Sequence, residues 1–244
     1  MKSHILKKIK EIEKKEGIKV LFLIESGSRA WNFASKDSDY DVRGVFVQDY
    51  LKVTDHHEQI SEIDGEIDVV LWDLRKFLRL LLKSNPSVWE WLSSDIVYIE
   101  NPLRKILMKE FSKNFNRYKL KKHYASMAEQ NFNKYIRSSE TTANLKKYVY
   151  VLRSLACILW IEKHKSPPPK KYNKVIGLLR KDVKAFFEEI VEKKKQSESM
   201  MGKRKRDIES YVVGFFNRKF KKDTEKFDPN RINKLFKKTI MANK

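Results

Sequence analysis

Gly27-Ser28-Arg29-Ala30-Trp31-Asn32-Phe33-Ala34-Ser35-Lys36-Asp37-Ser38-Asp39-Tyr40-Asp41-Val42 sets a Gly-Ser turn and, after ten intervening residues, two aspartates one residue apart. The residues just before it, Ile18-Lys19-Val20-Leu21-Phe22-Leu23-Ile24, read as a buried strand. Gly27 and Ser28 can then turn the chain into a short helix over 28–33. The first N–H groups of such a helix have no intrahelical acceptors and suit an anion. A second strand is expected over 40–47. There Asp39 and Asp41 project from one face, while Tyr40, Val42 and Phe46 alternate onto the other.

Paired carboxylates beside an anion-binding turn are the groups that metal-assisted phosphate chemistry needs. Mg²⁺ is a hard ion that takes carboxylate oxygens and keeps waters for substrate phosphates. Two such ions about 4 Å apart can share adjacent carboxylates. Crowded acids repel one another unless cations are present, so the arrangement itself argues for metal. A third carboxylate is expected from a strand over 66–72, where Ile67, Val69 and Leu71 alternate to the core; Asp68 is the candidate, ahead of Glu66 and Asp64. The expected metal ligands and catalytic residues are therefore Asp39, Asp41 and Asp68, holding two Mg²⁺, with Mn²⁺ an acceptable substitute. Ser28 can offer its hydroxyl and N–H to terminal phosphates or act as a helix cap. Arg29 and Arg43 are candidate phosphate contacts, and Arg43, on the face of Asp39 and Asp41, can equally be an ionic partner for those acids. His56-His57 lack a second pair of ligands at a zinc spacing and read as surface residues.

The spacing Gly27-Ser28, ten residues, then Asp-hydrophobic-Asp-hydrophobic resembles the signature of the polymerase-beta-like nucleotidyltransferase superfamily. The longer string Gly-Ser-Arg-Ala-Trp…Phe-Ala-Ser…Asp-Ser-Asp-Tyr-Asp-Val-Arg is similar to predicted nucleotidyltransferases encoded beside phage RNA ligase genes and their bacterial (RlaP-like) relatives. Asn85-Pro86 followed by Glu90, and Lys146-Lys147-Tyr148…Leu152-Arg153 ahead of Trp160 and Pro167-Pro168-Pro169, extend the likeness. It is strongest over 20–95, weaker over 120–180 and not seen beyond. Asn32 departs from the pattern, which has glycine there, although asparagine tolerates left-handed angles. The resemblance implies an α+β fold with a small mixed sheet, followed by a helical domain that closes over the nucleotide. It also implies transfer of a nucleoside monophosphate from a triphosphate, ATP favoured, to an acceptor hydroxyl with release of pyrophosphate. An RNA end, in particular tRNA, is the implied acceptor. Two alternatives stay open: nucleotidylation of a protein or small molecule, and a noncatalytic RNA-binding protein on the same scaffold.

Composition bounds the rest. With 244 residues, 41% of them hydrophobic, the chain can bury one or two cores. Cys157 is the only cysteine, so no disulfide can form within the chain, and its apolar surroundings predict a buried thiol. Nowhere do eighteen consecutive apolar residues occur, so no membrane partner is expected and a cytoplasmic location is. Oligomeric state leaves no mark in the sequence. Residues 1–100 carry 15 Lys and Arg against 18 Asp and Glu, whereas residues 101–244 carry 38 against 14. A field of that size attracts nucleic acid phosphates, although lysine-rich solvated helices have the same composition.

The remaining pattern is helical. Helices are expected over 3–16 and 73–82, then a short one capped near Ser87 after Asn85-Pro86. Beyond Pro102 no further sheet is expected, Pro167-Pro168-Pro169 separates two helical blocks, and 193–206 reads as a loop. The chain thus divides into a nucleotidyltransferase domain over 1–100 and an all-helical, basic, substrate-binding domain over 101–244, with substrate in the cleft between them. In the helix over 146–161, Lys146, Tyr150 and Arg153 share one stripe and Val149, Leu152, Ala156 and Leu159 another. Such cations can hold a triphosphate while Tyr150 stacks on a base or joins the core; the resemblance adds Lys147 to Arg153 as nucleotide-binding candidates. Tyr124, Asn131, Lys134, Tyr135 and Arg137 are candidate nucleic-acid contacts, with packing the alternative for the tyrosines.

Overall fold

A computed structural model describes residues 1–244 apart from 37, 53, 55, 197–199, 225, 226 and 244. In chain order the elements are α1 (Lys2–Glu16), β1 (Lys19–Glu25), α2 (Gly27–Trp31), β2 (Tyr40–Val47), β3 (Gln59–Asp64), β4 (Ile67–Asp73), α3 (Leu74–Leu82), α4 (Pro86–Leu92), β5 (Val97–Ile99) and α5 (Pro102–Asn114). There follow α6 (Arg117–Tyr135), β6 (Thr142–Asn144), α7 (Leu145–His164), α8 (Tyr172–Val175), a 3-10 turn (Ile176–Leu178), α9 (Lys181–Gln196), β7 (Met201–Lys203), α10 (Arg206–Phe216) and α11 (Pro229–Met241). Two compact units make up the chain. One comprises residues 1–30, 39–115 and 225–244, and the other residues 31–38 and 116–224.

The first unit is built on a mixed sheet of order β3-β4-β2-β1-β5, in which β2 and β4 run parallel and the other neighbours antiparallel. Ile5, Ile9 and Ile12 recur at helical spacing along α1 and bury against one sheet face with Val20, Leu23, Val42, Phe46, Val69 and Leu71. A register shift between Val20 and Phe22 puts Val20 and Leu23 on this same face. Near the end of β4 the opposite side is covered by α3 and α4, where Trp72 stacks on Trp91 at 4.0 Å and Phe22 meets Phe77 edge-on at 5.7 Å. Asp73 stops β4 and starts α3 in one step, its carboxylate accepting from the N–H groups of Arg75 and Lys76 and from the Tyr50 hydroxyl at 2.6 Å. Residues from the far end of the chain complete the unit: Arg231 pairs with Glu110 at 2.6 Å, Phe227 packs on Phe111, and Phe236 on Tyr50.

Two of these strands go beyond the sequence reading. Segment 59–64, to which the sequence reading assigns no element, is edge strand β3, joined to β4 by a two-residue turn in which Gly65 has φ +56°. Its polar residues and an Ile63 that is 81% exposed hide it from an alternation test, and the charges of Glu62 and Asp64 are what keeps the edge from pairing further. Strand β5, three residues long, forms the other edge.

The second unit is organised around α7, which is buried at Tyr148, Val149, all of 151–158 and Ile161, and packs against α6 and α9. Cys157 lies in this buried run. Helix α7 stops at Lys165, in the left-handed region at φ 55°, just before the three prolines. The unit is not all-helical, because β6 pairs antiparallel with β7, inside the stretch read as loop. Glu209 of α10 accepts from the Tyr148 hydroxyl at 2.6 Å and pairs with Arg204. Burial alone would raise the Glu209 carboxyl, but the hydrogen bonds from Arg204 and Tyr148 prevail and hold it below its usual range. Among the described residues no helix is long and apolar enough to cross a membrane.

Candidate active site

The site begins where β1 ends. Ser26 donates its N–H to the Asp41 carbonyl at 2.8 Å, and Gly27 turns away with φ +56° into α2. A Cβ on Gly27 would lie 1.8 Å from Asp41 Oδ2, so the turn admits only glycine and the Asp41 carboxylate is seated directly upon it. Ser28 follows, 7% exposed, at the second position of α2. Arg29 donates from Nε to the Asp39 carbonyl at 3.3 Å and lays its guanidinium 3.7 Å over the Tyr40 ring, fastening α2 to the start of β2.

Parallel pairing of β2 with β4 places Asp41 opposite Asp68. Between them lies Arg43, whose Nη2 donates to Asp41 Oδ1 and to Asp68 Oδ2, each at 2.8 Å. Its Nη1 donates to the carbonyls of Asp68 and Val42 at 2.6 and 3.1 Å. Asp39, by contrast, is exposed and lies one residue before β2. Among the described residues no three His, Cys, Asp or Glu side chains form a ready metal cluster; the register brings Asp41 and Asp68 together across Arg43. That pair fits a hard divalent ion by its donor chemistry and by the guanidinium that stands in as a cation between the two carboxylates.

Behind the pair is Glu25, fully buried, which sequence reasoning passed over. Its Oε1 accepts the Asp41 N–H at 2.8 Å and its Oε2 the Tyr98 hydroxyl. Burial pushes the Glu25 carboxyl above its usual 4.5, against those hydrogen bonds, and burial together with Glu25 raises the Tyr98 hydroxyl. An acid closing an otherwise apolar strand directly before the Ser-Gly turn was the available signal. Asn32 has φ 72°, the left-handed angle the glycine of the pattern would supply.

The nucleotide candidates on α7 belong to the second unit. Arg153 is only 4% exposed, stacks 4.2 Å over Trp31 and donates to the Lys170 carbonyl, so it is an internal strut and not a presented cation. Tyr150 meets Trp31 and Phe33 edge-on at 5.4 and 6.4 Å, which makes it a packing residue. Lys147 lies 4.2 Å over Tyr135 and 5.2 Å over Tyr150, and Lys146 is half-buried. Segment 31–38 is thus clamped by α7, and also by the buried Lys194, which donates to the Phe33 carbonyl at 3.2 Å, and by paired buried hydroxyls of Ser35 and Ser38. Of the other helical candidates, Tyr124 is core, 1% exposed.

The model of the RNA repair pathway DNA polymerase beta family matches residues 1–238, including the region beyond 180 where the sequence reading found no likeness. An uncharacterized protein of Bacillus subtilis (strain 168), YcgL, is 40% identical over 211 residues, 82% of this chain and 79% of its own length. An uncharacterized protein of Methanocaldococcus jannaschii, MJ0002, is 29% identical over 141 residues, 55% of this chain and 56% of its own. Among solved structures, a nucleotidyltransferase-like protein from Exiguobacterium sibiricum 255-15 aligns over 92% of this chain and 70% of that one, at 13% identity and a TM-score of 0.28.

Proposed function

The chain belongs to the RNA repair pathway DNA polymerase beta family, and on that premise we propose that it transfers a nucleoside monophosphate from a nucleoside triphosphate, preferentially ATP, to the hydroxyl of an RNA end such as that of tRNA. The observation that carries this reading is the in-register pair Asp41 and Asp68, with Asp41 seated on the Gly27-Ser28 turn. Asp41 and Asp68, joined by Asp39, would hold Mg²⁺ or Mn²⁺. When bound, the ions would polarise the α-phosphate and neutralise the leaving pyrophosphate. Ser28 meets the terminal phosphates with its hydroxyl and N–H, and Arg29 draws the Asp39 end of β2 toward the turn. Asp68 takes the proton of the attacking hydroxyl, whose oxygen bonds to the α-phosphorus as the bond to the β-phosphate oxygen breaks. On α7, Lys146 and Lys147 give the helical unit cations for a polyanion. A cytoplasmic site of action completes the reading.

The test is transfer of labelled nucleotide from each NTP, with Mg²⁺, onto total cellular RNA, followed by separation of RNA from protein. Asp41→Asn and Asp68→Asn should each lower incorporation by about a hundredfold or more. Undiminished label in both variants refutes the assignment, and label on protein in place of RNA moves the acceptor to a different class.

A further inference from the structure

We infer that Arg43 is a resident counter-cation, which yields its place between Asp41 and Asp68 to a divalent ion and is thereby freed for the triphosphate. This rests on the nucleotidyltransferase reading above. A single nitrogen, Nη2, stands 2.8 Å from an oxygen of each carboxylate, so one positive centre already lies where the acids of two parallel strands converge. Mg²⁺ takes its oxygens at about 2.1 Å, so an ion at that point would draw each carboxylate in by roughly 0.7 Å and leave no room for the guanidinium.

Of the three side chains, arginine is the one free to leave. Asp41 is fixed on both sides: its N–H is held by Glu25, and its Oδ2 lies against Gly27, where even a methyl group does not fit. Asp68 is held at its backbone by the register of β2 with β4, and its short side chain keeps the carboxylate beside that of Asp41. Arg43 is on a long side chain, 15% exposed, anchored otherwise, among the described residues, only through Nη1 to two carbonyls. A doubly charged ion attracts the two carboxylates more strongly than the single guanidinium charge does. The displaced fork is planar and matches phosphate oxygens in pairs. Arg43 is thus a positioning residue that links metal loading to triphosphate capture.

The full chain should be titrated first with Mn²⁺ alone, following free ion by electron paramagnetic resonance, and then with ATP at saturating Mn²⁺. Arg43→Gln should bind Mn²⁺ about tenfold more tightly than the parent, since nothing has to be displaced, and ATP about tenfold more weakly. Arg43→Lys, which keeps the charge without the fork and serves if the glutamine variant does not fold, should lie between the two for Mn²⁺. Mn²⁺ affinity that is unchanged or lower in these variants overturns the exchange. A parent chain that takes up neither Mn²⁺ nor ATP overturns the nucleotidyltransferase reading itself, whereas normal nucleotide transfer with equal Mn²⁺ affinities overturns the exchange alone.

Discussion

Gly27 and Gly17 share a left-handed backbone, φ +56° and +62°, but not surroundings: space is open around Gly17, while Asp41 Oδ2 fills the place of a Gly27 side chain. Alanine at Gly17 therefore incurs only the backbone penalty, about 1 kcal/mol, whereas Gly27→Ala adds the collision and should cost about 2–3 kcal/mol in urea unfolding. Equal losses would mean that the Asp41 carboxylate does not rest on the turn. Glu25 gives a second handle. Its carboxyl is raised in the folded state, so its stabilising contribution is complete below 4.5 and is lost as pH climbs through 4.5 and on through its folded value. Glu25→Gln mimics the protonated form, still accepts from Asp41 N–H, and should gain on the parent steadily above pH 4.5 until the carboxylate is fully ionised. Denaturant unfolding of both chains between pH 4 and about 8 checks this, and a constant difference would contradict it.

At the scale of elements, α7 and segment 31–38 depend on one another through Trp31, which meets Tyr150 edge-on and carries the Arg153 guanidinium over its ring. Trp31→Ala should lower stability by about 2–3 kcal/mol in urea unfolding, and Trp31→Phe by less, because an aromatic face remains for Arg153. A negligible loss in both would show that the clamp is not formed. How far such elements could be read in advance follows from their physics. The strands that carry Asp41 and Asp68 alternate between acid and apolar residues at their acid-bearing ends, so their span, their acid face and their core-facing side were legible. Edge strand β3 was not, since polarity that protects an edge also erases the alternation. Strands β6 and β7, three residues each and far apart in sequence, carry no pattern at all. Helical spacing placed Lys146, Tyr150 and Arg153 on one stripe but could not tell that α7 is buried nearly all round, which turns Arg153 inward. Arg43 stayed ambiguous because a guanidinium suits a phosphate and a carboxylate equally, and only the parallel register brought Asp68 to its other side.

For the molecule as a whole, the surplus of 24 positive charges over residues 101–244 is the quantity that an RNA acceptor would feel. In the helical unit Arg137 and Arg206 line a groove of about 870 Å³ together with Phe132, Val213 and Glu140, and Arg204, also in its lining, is paired with Glu209. If RNA strands follow this groove, replacing Arg137 and Arg206 together by alanine should flatten the log-log salt dependence of binding by about 1.4, that is about 0.7 for each lost phosphate contact. Fluorescence anisotropy of a labelled single-stranded RNA across a salt series measures it, and an unaltered slope would exclude the groove. The interleaved composition of the units has a further consequence, for biosynthesis. A ribosome delivers residues 227–243 only after residues 116–224, so the nascent sheet must wait, without Phe227, Arg231 and Phe236, while the helical region emerges. Translation, and not local propensity, therefore sets when the acid-bearing half can finish packing, and a stalled chain would leave Glu110 and Phe111 bare to whatever meets nascent polypeptides.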